Sequence, residues 1–209
     1  MTTALPLPAT AEPTRSRSRR LVTATAFDVV AAEQGAAIML AGLGMDLSDP
    51  SLADTPARMA RAYVELLTPH EFTPTTFPND EGYDELVLAR QISFTSVCEH
   101  HLLPFSGTAA VGYLPGERIL GLSKLARVVE LFARRPQVQE RMTKQIATWL
   151  DEQLQPRGVG VVLEASHSCM TVRGVQARGS TTVTSAMLGR LRDDPRTRSE
   201  FLALTNKSP

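Results

Sequence analysis

The sequence predicts an α+β fold: an antiparallel sheet with two helices packed on one face, preceded by N-terminal helices. Three observations carry that expectation. Apolar residues recur at helical spacing up to about residue 67, the period shortens after residue 84, and the order from there runs strand, strand, helix, helix, strand, strand. A length of 209 residues favours one globular domain with a core large enough to need no disulfide or metal staples.

The first helix is expected from Phe27 to about Leu43, on the apolar spacing of Val29, Val30, Ala36, Met39, Leu40 and Leu43, with Gly44 as its stop. A second opens at Asp54-Thr55-Pro56, a cap followed by a proline near the first helical position, and runs to about Leu67. Pro69 to Gly82 holds three prolines and is expected as a connection. Glu85–Phe94 and Gly107–Tyr113 are rich in Val, Leu, Ile and aromatic residues and predict strands, with Pro115-Gly116 turning the chain. Two helices come next, back to back, Ser123 to about Arg134 and Pro136 to about Leu154, and Pro156 and Gly158 end them. Strands are expected again at Val159–Ala165, Cys169–Gln176 and Thr181–Ala186, and Asp194-Pro195 caps a short last helix. N-terminal helices thus occupy 26–68, and the sheet-bearing core occupies 84–209 within a single domain spanning 23–209. Residues 1–22 are rich in Pro, Thr, Ser and Arg without periodicity and are expected as a flexible arm.

Composition limits the functions available. Lys plus Arg and Asp plus Glu both number 22, so no whole-chain field recruits nucleic acid or an anionic membrane, and any anion must be held by a local cluster. No stretch of 18 apolar residues exists to span a bilayer. Arg15 to Arg20 imitates the basic start of a signal peptide, but Asp28 and Glu33 place charges where an apolar run would have to lie. Two cysteines do not make a disulfide framework, and the expectation is a cytoplasmic protein with reduced thiols.

Those two cysteines and three of the four histidines fall in two short segments, Cys98-Glu99-His100-His101 and His167-Ser168-Cys169. Cys98 and His101, three apart, reach one point in a helical turn or a tight loop. His167 and Cys169, two apart, share a face in an extended strand, and Thr171 and Arg173 join them if the strand continues. Cys98, His101 and Cys169 make a soft-to-borderline donor set suited to zinc, with a fourth position open as in catalytic zinc sites. Each cysteine alone would read as core, and a closed structural zinc recruiting His100, His167 or His70 is the competing arrangement. If three ligands suffice, His100 and His167 are free to move protons near neutral pH or to orient a ligand by hydrogen bonding.

Gly121-Leu122-Ser123 precedes a helix carrying Lys124 and Arg127 on one face, and helix N-termini attract anions. With Arg173 these cations suit phosphate, although any one of them alone would be a solvated surface charge. Glu140 starts the next helix; it complements the helix dipole, and its carboxylate also matches the N1–H and exocyclic amine of guanine.

Long stretches of the chain resemble GTP cyclohydrolase I: CEHHLLPFSG (Cys98–Gly107), GYLPGERILGLSKLARVVELFARRPQVQERMTKQI (Gly112–Ile146), EASHSCMTVRGVQ (Glu164–Gln176) and STTVTSAMLG (Ser180–Gly189). The match extends to TPARMARAYVELL (Thr55–Leu67) and RTRSEFLAL (Arg196–Leu204). The resemblance implies the tunnelling fold (T-fold), assembled as a toroidal homodecamer with active sites between subunits. It implies conversion of GTP and water to formate and 7,8-dihydroneopterin triphosphate, the first step toward tetrahydrofolate and other pterins. It implies one zinc per subunit on Cys98, His101 and Cys169, with His100, His167 and Ser123 catalytic. Ser123, Lys124, Arg127 and Arg173 then surround the triphosphate and ribose, and Gln139 and Glu140 lie at the base. Two other functions compete: a non-catalytic, zinc-stabilised nucleotide-binding module, and a T-fold deazaguanine nitrile reductase with a cysteine nucleophile and a nicotinamide cofactor. The commitment of both cysteines to a metal argues against the reductase.

Overall fold

The computed structural model describes residues 26–206, so the expected arm at 1–22 lies outside the described residues. Helix α1 (Val29–Gly42) opens where the Asp28 carboxylate accepts from the Ala31 N–H at 2.9 Å, and Gly44, at φ +81°, turns the chain away after it. Helix α2 (Thr55–Leu67) begins with Pro56 in its first turn. Asp54 precedes it as expected, but its carboxylate accepts from Arg58 at 3.2 Å instead of capping a backbone N–H.

The connection after α2 contains an element too short to show a period. Strand β1 (Thr76–Pro78) pairs antiparallel with β4 (Arg118–Leu120), Thr76 opposite Leu120. Arg118 ties the ribbon by donating to Thr76 Oγ1 at 2.8 Å.

The main sheet holds β2 (Val87–Cys98), β3 (Pro104–Leu114), β5 (Pro136–Gln137), β6 (Gly158–His167) and β7 (Thr182–Gly189) in the order β5-β2-β3-β6-β7. All neighbours are antiparallel except β5, which runs parallel to the end of β2 with Val97 opposite Pro136. Helices α3 (Leu122–Ala133) and α4 (Gln139–Leu154) cover one face. Leu125, Val128 and Val129 of α3 and Met142, Ile146 and Leu150 of α4 are buried against Val111, Val159, Val161 and Leu163, which alternate along their strands so that each faces the helices. Burying each such aliphatic side chain contributes about 1.5–3 kcal/mol.

The opposite face carries glycines where the helix-facing strands carry valines. Phe201 of α7 (Pro195–Thr205) lies over Gly160, where an added Cβ would meet its ring at 2.8 Å. Asp194 caps α7 as expected, its carboxylate accepting from the Arg196 N–H at 3.0 Å, and the short α6 (Arg190–Asp193) precedes it. Helices therefore lie on both faces, α3 and α4 together and α7 opposite.

Two expectations need correction. Pro136 does not start a helix: it is extended beside Val97, and α4 begins at Gln139. An edge strand tolerates proline's missing N–H, and the parallel pairing holds the backbone out of the helical region. Cys169–Gln176 is not a strand. Pairing on β3 ends at Phe105 opposite His167, next to Pro104, so the chain beyond finds no partner. It coils into α5 (Ser168–Thr171) and then turns through Gly174, Gln176 and Gly179, all at positive φ.

Candidate metal centre and its surroundings

The end of the sheet where β2 passes to β3 gathers the rare residues. Cys98 closes β2, its N–H donating to Leu103 O at 2.9 Å while its own carbonyl accepts from Leu102 N–H at 2.8 Å. Leu102 at φ +53° completes this tight turn, which brings Cys98 Sγ to 3.7 Å from His101 Nδ1. Across the sheet, β6 ends at His167, and the first turn of α5 swings Cys169 inward. The donor atoms of Cys98, His101 and Cys169 all lie within 4.8 Å of one another. Tetrahedral ligands at zinc bond lengths stand about 3.5–3.8 Å apart, so the Cys98–His101 pair already matches, and Cys169 lies within the same 4.8 Å bound. Both cysteines are free thiols, Cys98 buried and Cys169 partly so. Burial, and after it the neighbouring Cys98 sulfur, pushes the Cys169 thiol up, while Arg173 opposes. Two sulfurs this close repel when ionised, and a divalent cation reverses that preference. The donor set thus fits zinc.

The turn is strapped to the chain between the helices. Glu99 N–H donates to Gln137 O at 3.0 Å, and the Glu99 carboxylate is gripped by the Arg141 guanidinium, which holds it below the usual carboxylate range. Arg141 also donates to Gln137 Oε1 at 3.1 Å, and Gln137 Nε2 reaches Phe132 O at 2.8 Å. His100, its side chain 65% exposed, lies in the turn with Nε2 3.9 Å from Glu99 Oε1 and its ring at 80° to that of His101.

His167 is held on two sides. Its ring stacks on Phe105, the residue opposite it in the register, at 4.4 Å between centroids and 5° between planes. Its Nε2 lies 2.7 Å from Gln139 Oε1 at the first residue of α4. Burial pushes the His167 imidazole below its ordinary range, and the Glu140 carboxylate pulls it back up. Glu140 itself is exposed beside it.

The remaining expected residues do not all converge here. Arg173 does, since its charge acts on Cys169. Ser123 and Lys124 sit at the start of α3, anchored by Gly121 N–H to Thr75 O at 3.1 Å and by Leu120 N–H to Tyr113 OH at 2.9 Å. Tyr113 is opposite Val87, at the other end of β2 from Cys98. Helix α3 is 12 residues long, about 18 Å, and it is its far end that leads into Pro136 beside Val97. Lys124 Nζ lies 5.8 Å over the Phe72 ring. Arg127, exposed, opens onto a cleft of about 650 Å³ with Phe94, Thr95, Ser106, Glu130 and Arg134. His70, the one histidine without an expected role, contacts Glu130 of that wall.

Sequence reasoning missed Phe105 and the Glu99–Arg141 strap. Phe105 was legible only as an apolar residue after a proline; its function as a ring support depends on the β3–β6 register.

Comparisons with known proteins bear on the family of the chain. A model of the GTP cyclohydrolase I family matches residues 32–206. A protein named GTP cyclohydrolase 1 from a Synechococcus strain is 52% identical over 170 residues, covering 79% of this chain and 74% of that one. Proteins of the same name from Rhodopirellula baltica and a Sulfurihydrogenibium strain are each 49% identical, over 81% and 83% of this chain and 76% and 93% of theirs. Among solved structures, the apo form of the archaeosine synthase QueF-Like aligns with 50% of this chain at TM-score 0.42 and 18% identity, too slight a likeness to bear on fold or function. With a family model spanning nearly every described residue and relatives at about half identity, the chain belongs to the GTP cyclohydrolase I family.

Proposed function

We propose that this protein is a zinc-dependent GTP cyclohydrolase I, converting GTP and water to formate and 7,8-dihydroneopterin triphosphate as the first step toward tetrahydrofolate and related pterins. The observation that carries the reading is the convergence of Cys98, His101 and Cys169, from two separate strand ends, on one point beside His167.

When bound, zinc supplies a Lewis acid that makes water a competent nucleophile near neutral pH. The protein's own groups do the rest. His167 delivers a proton to N7 of the purine as water adds to C8, because the addition is feasible only if nitrogen takes up the developing negative charge. Hydrolysis then releases C8 as formate. His100 and Ser123 move protons as the ribose opens and recloses onto the base. Glu140 accepts from the guanine N1–H and exocyclic amine, a pair of donors that adenine lacks. Lys124, Arg127 and Arg173 neutralise the triphosphate.

The separation of the α3 cations from the metal donors supports sites shared between copies of the chain. So do the sheet edges: among the described residues, β7 has no outer partner, and β5 covers β2 only at Val97 and Cys98. Unpaired edges are templates for a second chain, and a toroidal homodecamer closes them. No described helix is long and apolar enough to cross a membrane. Two cysteines, too few for a disulfide framework, favour a cytoplasmic enzyme, and the balanced charge argues against a nucleic-acid partner.

The test is incubation of the purified protein with GTP, with and without a chelator, assaying formate and a fluorescent pterin after oxidation. Both products should form and vanish on chelation while the assembly persists. Neither product from a zinc-loaded protein overturns the assignment, and unfolding on chelation marks the metal as structural.

A further inference from the structure

The family resemblance sets Gln139 among the groups that touch the base, yet its side chain is turned into the protein, 2% exposed. Its Nε2 faces Thr182 O at 2.9 Å, Leu163 O at 3.2 Å and Thr184 Oγ1 at 3.1 Å. Two of these are backbone carbonyls, which only accept, so the nitrogen must occupy this side; the flipped amide would set three oxygens against one another. Oε1 therefore faces His167 Nε2, at 2.7 Å. An amide oxygen only accepts as well, and the proton between them must belong to the ring.

The surrounding hydroxyls agree. Thr143 donates its single hydrogen to Gln139 O at 2.7 Å. Its contact with Thr184 Oγ1, also 2.7 Å, is then donated by Thr184, whose lone pairs remain for Gln139 Nε2. The hydroxyl hydrogens of Thr184 and Thr143 and the ring proton of His167 each have one consistent place, and the two hydrogens of Gln139 Nε2 are shared among its three acceptors. Stacking on Phe105 sets the plane of the ring, and the Gln139 bond sets its rotation in that plane.

We propose that Gln139 is a positioning residue that holds His167 with Nε2 protonated, so that Nδ1 is the nitrogen facing a ligand: the neutral ring accepts there, and it delivers a proton to N7 only after taking up a second proton at Nδ1. Among the described residues no group hydrogen-bonds Nδ1. Which nitrogen of a histidine does chemistry is set by the bond the other one makes. The inference rests on His167 acting in the proposed reaction for its functional consequence, but the tautomer stands on geometry alone. Gln139 then acts on the base through His167 and not by contact.

The experiment is ¹⁵N spectroscopy of histidine-labelled, zinc-loaded protein, by solid-state NMR at about pH 8, where an ordinary imidazole is neutral. Only four histidines contribute, and the His167 lines are those lost in His167→Asn. The wild type should show a protonated Nε2 and an unprotonated Nδ1 at His167; a proton on Nδ1 overturns the proposal without recourse to any variant of Gln139. In Gln139→Met the His167 lines should shift toward a mixture of tautomers, and unchanged lines overturn the positioning role. Kinetically, Gln139→Met should lower kcat by about 100-fold or more with KM for GTP and zinc content kept. A raised KM with kcat retained returns Gln139 to direct substrate contact. An Nε2-protonated ring in a protein that does not turn over GTP upholds the tautomer and discards the reaction; an Nδ1-protonated ring in an active enzyme does the reverse.

Discussion

At the Cys98 end of the sheet nearly every polar group is held from within the chain: the turn by Glu99 and Arg141, His167 by Phe105 and Gln139, Ser168 by the carbonyl of Pro104. At the other end, where α3 begins, Ser123 is exposed and Lys124 reaches over the Phe72 ring. Both ends carry residues that the proposed reaction needs, but one is preorganised and the other is an open half. The difference teaches where rigidity is required. A metal and a proton donor need fixed geometry, whereas long, flexible cations can close on a triphosphate from a neighbouring copy.

The largest expected effect breaks the organised end. Cys169→Ser should abolish GTP turnover through loss of zinc, read by metal analysis beside the activity assay; full activity without stoichiometric zinc removes the thiolate from the ligand set. The open half is tested by mixing. Coexpression of Cys169→Ser with a Lys124→Ala, Arg127→Ala chain, each inactive alone, should restore turnover well above the sum of the two, because some sites then pair an intact metal end with intact cations. Activity no greater than that sum would mean each chain builds its own site.

A smaller effect is expected at Glu140, which lies beside His167 but is exposed. Glu140→Gln replaces an acceptor by a donor facing the guanine N–H groups and should weaken GTP by about 10–100-fold, the worth of a charged hydrogen bond, while narrowing the preference over ATP. Unchanged discrimination would leave Glu140 as a helix-terminus charge. The smallest effect is on stability. Burial depresses the His167 imidazole in the folded state, so below the unfolded value of about 6.5 the unfolded chain binds a proton that the folded one refuses. Stability should therefore fall as pH drops through 6.5 and level off beneath the folded value. In metal-free protein the slope of melting temperature against pH should be shallower for His167→Asn than for wild type.

Much of the fold was legible because local rules decided it. Pro56 and Asp194 mark helix starts, and the helices expected at Ser123 to about Arg134 and up to Leu154 are found, ended as expected before Pro156 and Gly158, since each signal acts within a turn or two of chain. The misses were decided at a distance. The β1–β4 ribbon joins residues about 40 apart in three-residue pieces, and β5 exists only because Val97 is there to pair with Pro136. Cys169 was expected to align with His167 along a strand; it reaches the metal donors through a helical turn instead, because β3 has ended.

Composition and spacing by themselves narrowed the candidate donor set: with two cysteines and four histidines in the whole chain, the clustering of five of these residues in two short segments leaves few combinations that suit a metal. They also determined that any anion must meet a local group of cations. Only the tertiary structure decided that Gln139 turns inward to His167 across 28 residues of sequence, and that Lys124 and Cys98 stand at opposite ends of one sheet. The physical reason is the same in both cases. Residue type and short spacing set which chemistry is possible, while strand register and the pitch of a helix, set by burial of the whole core, choose which atoms meet.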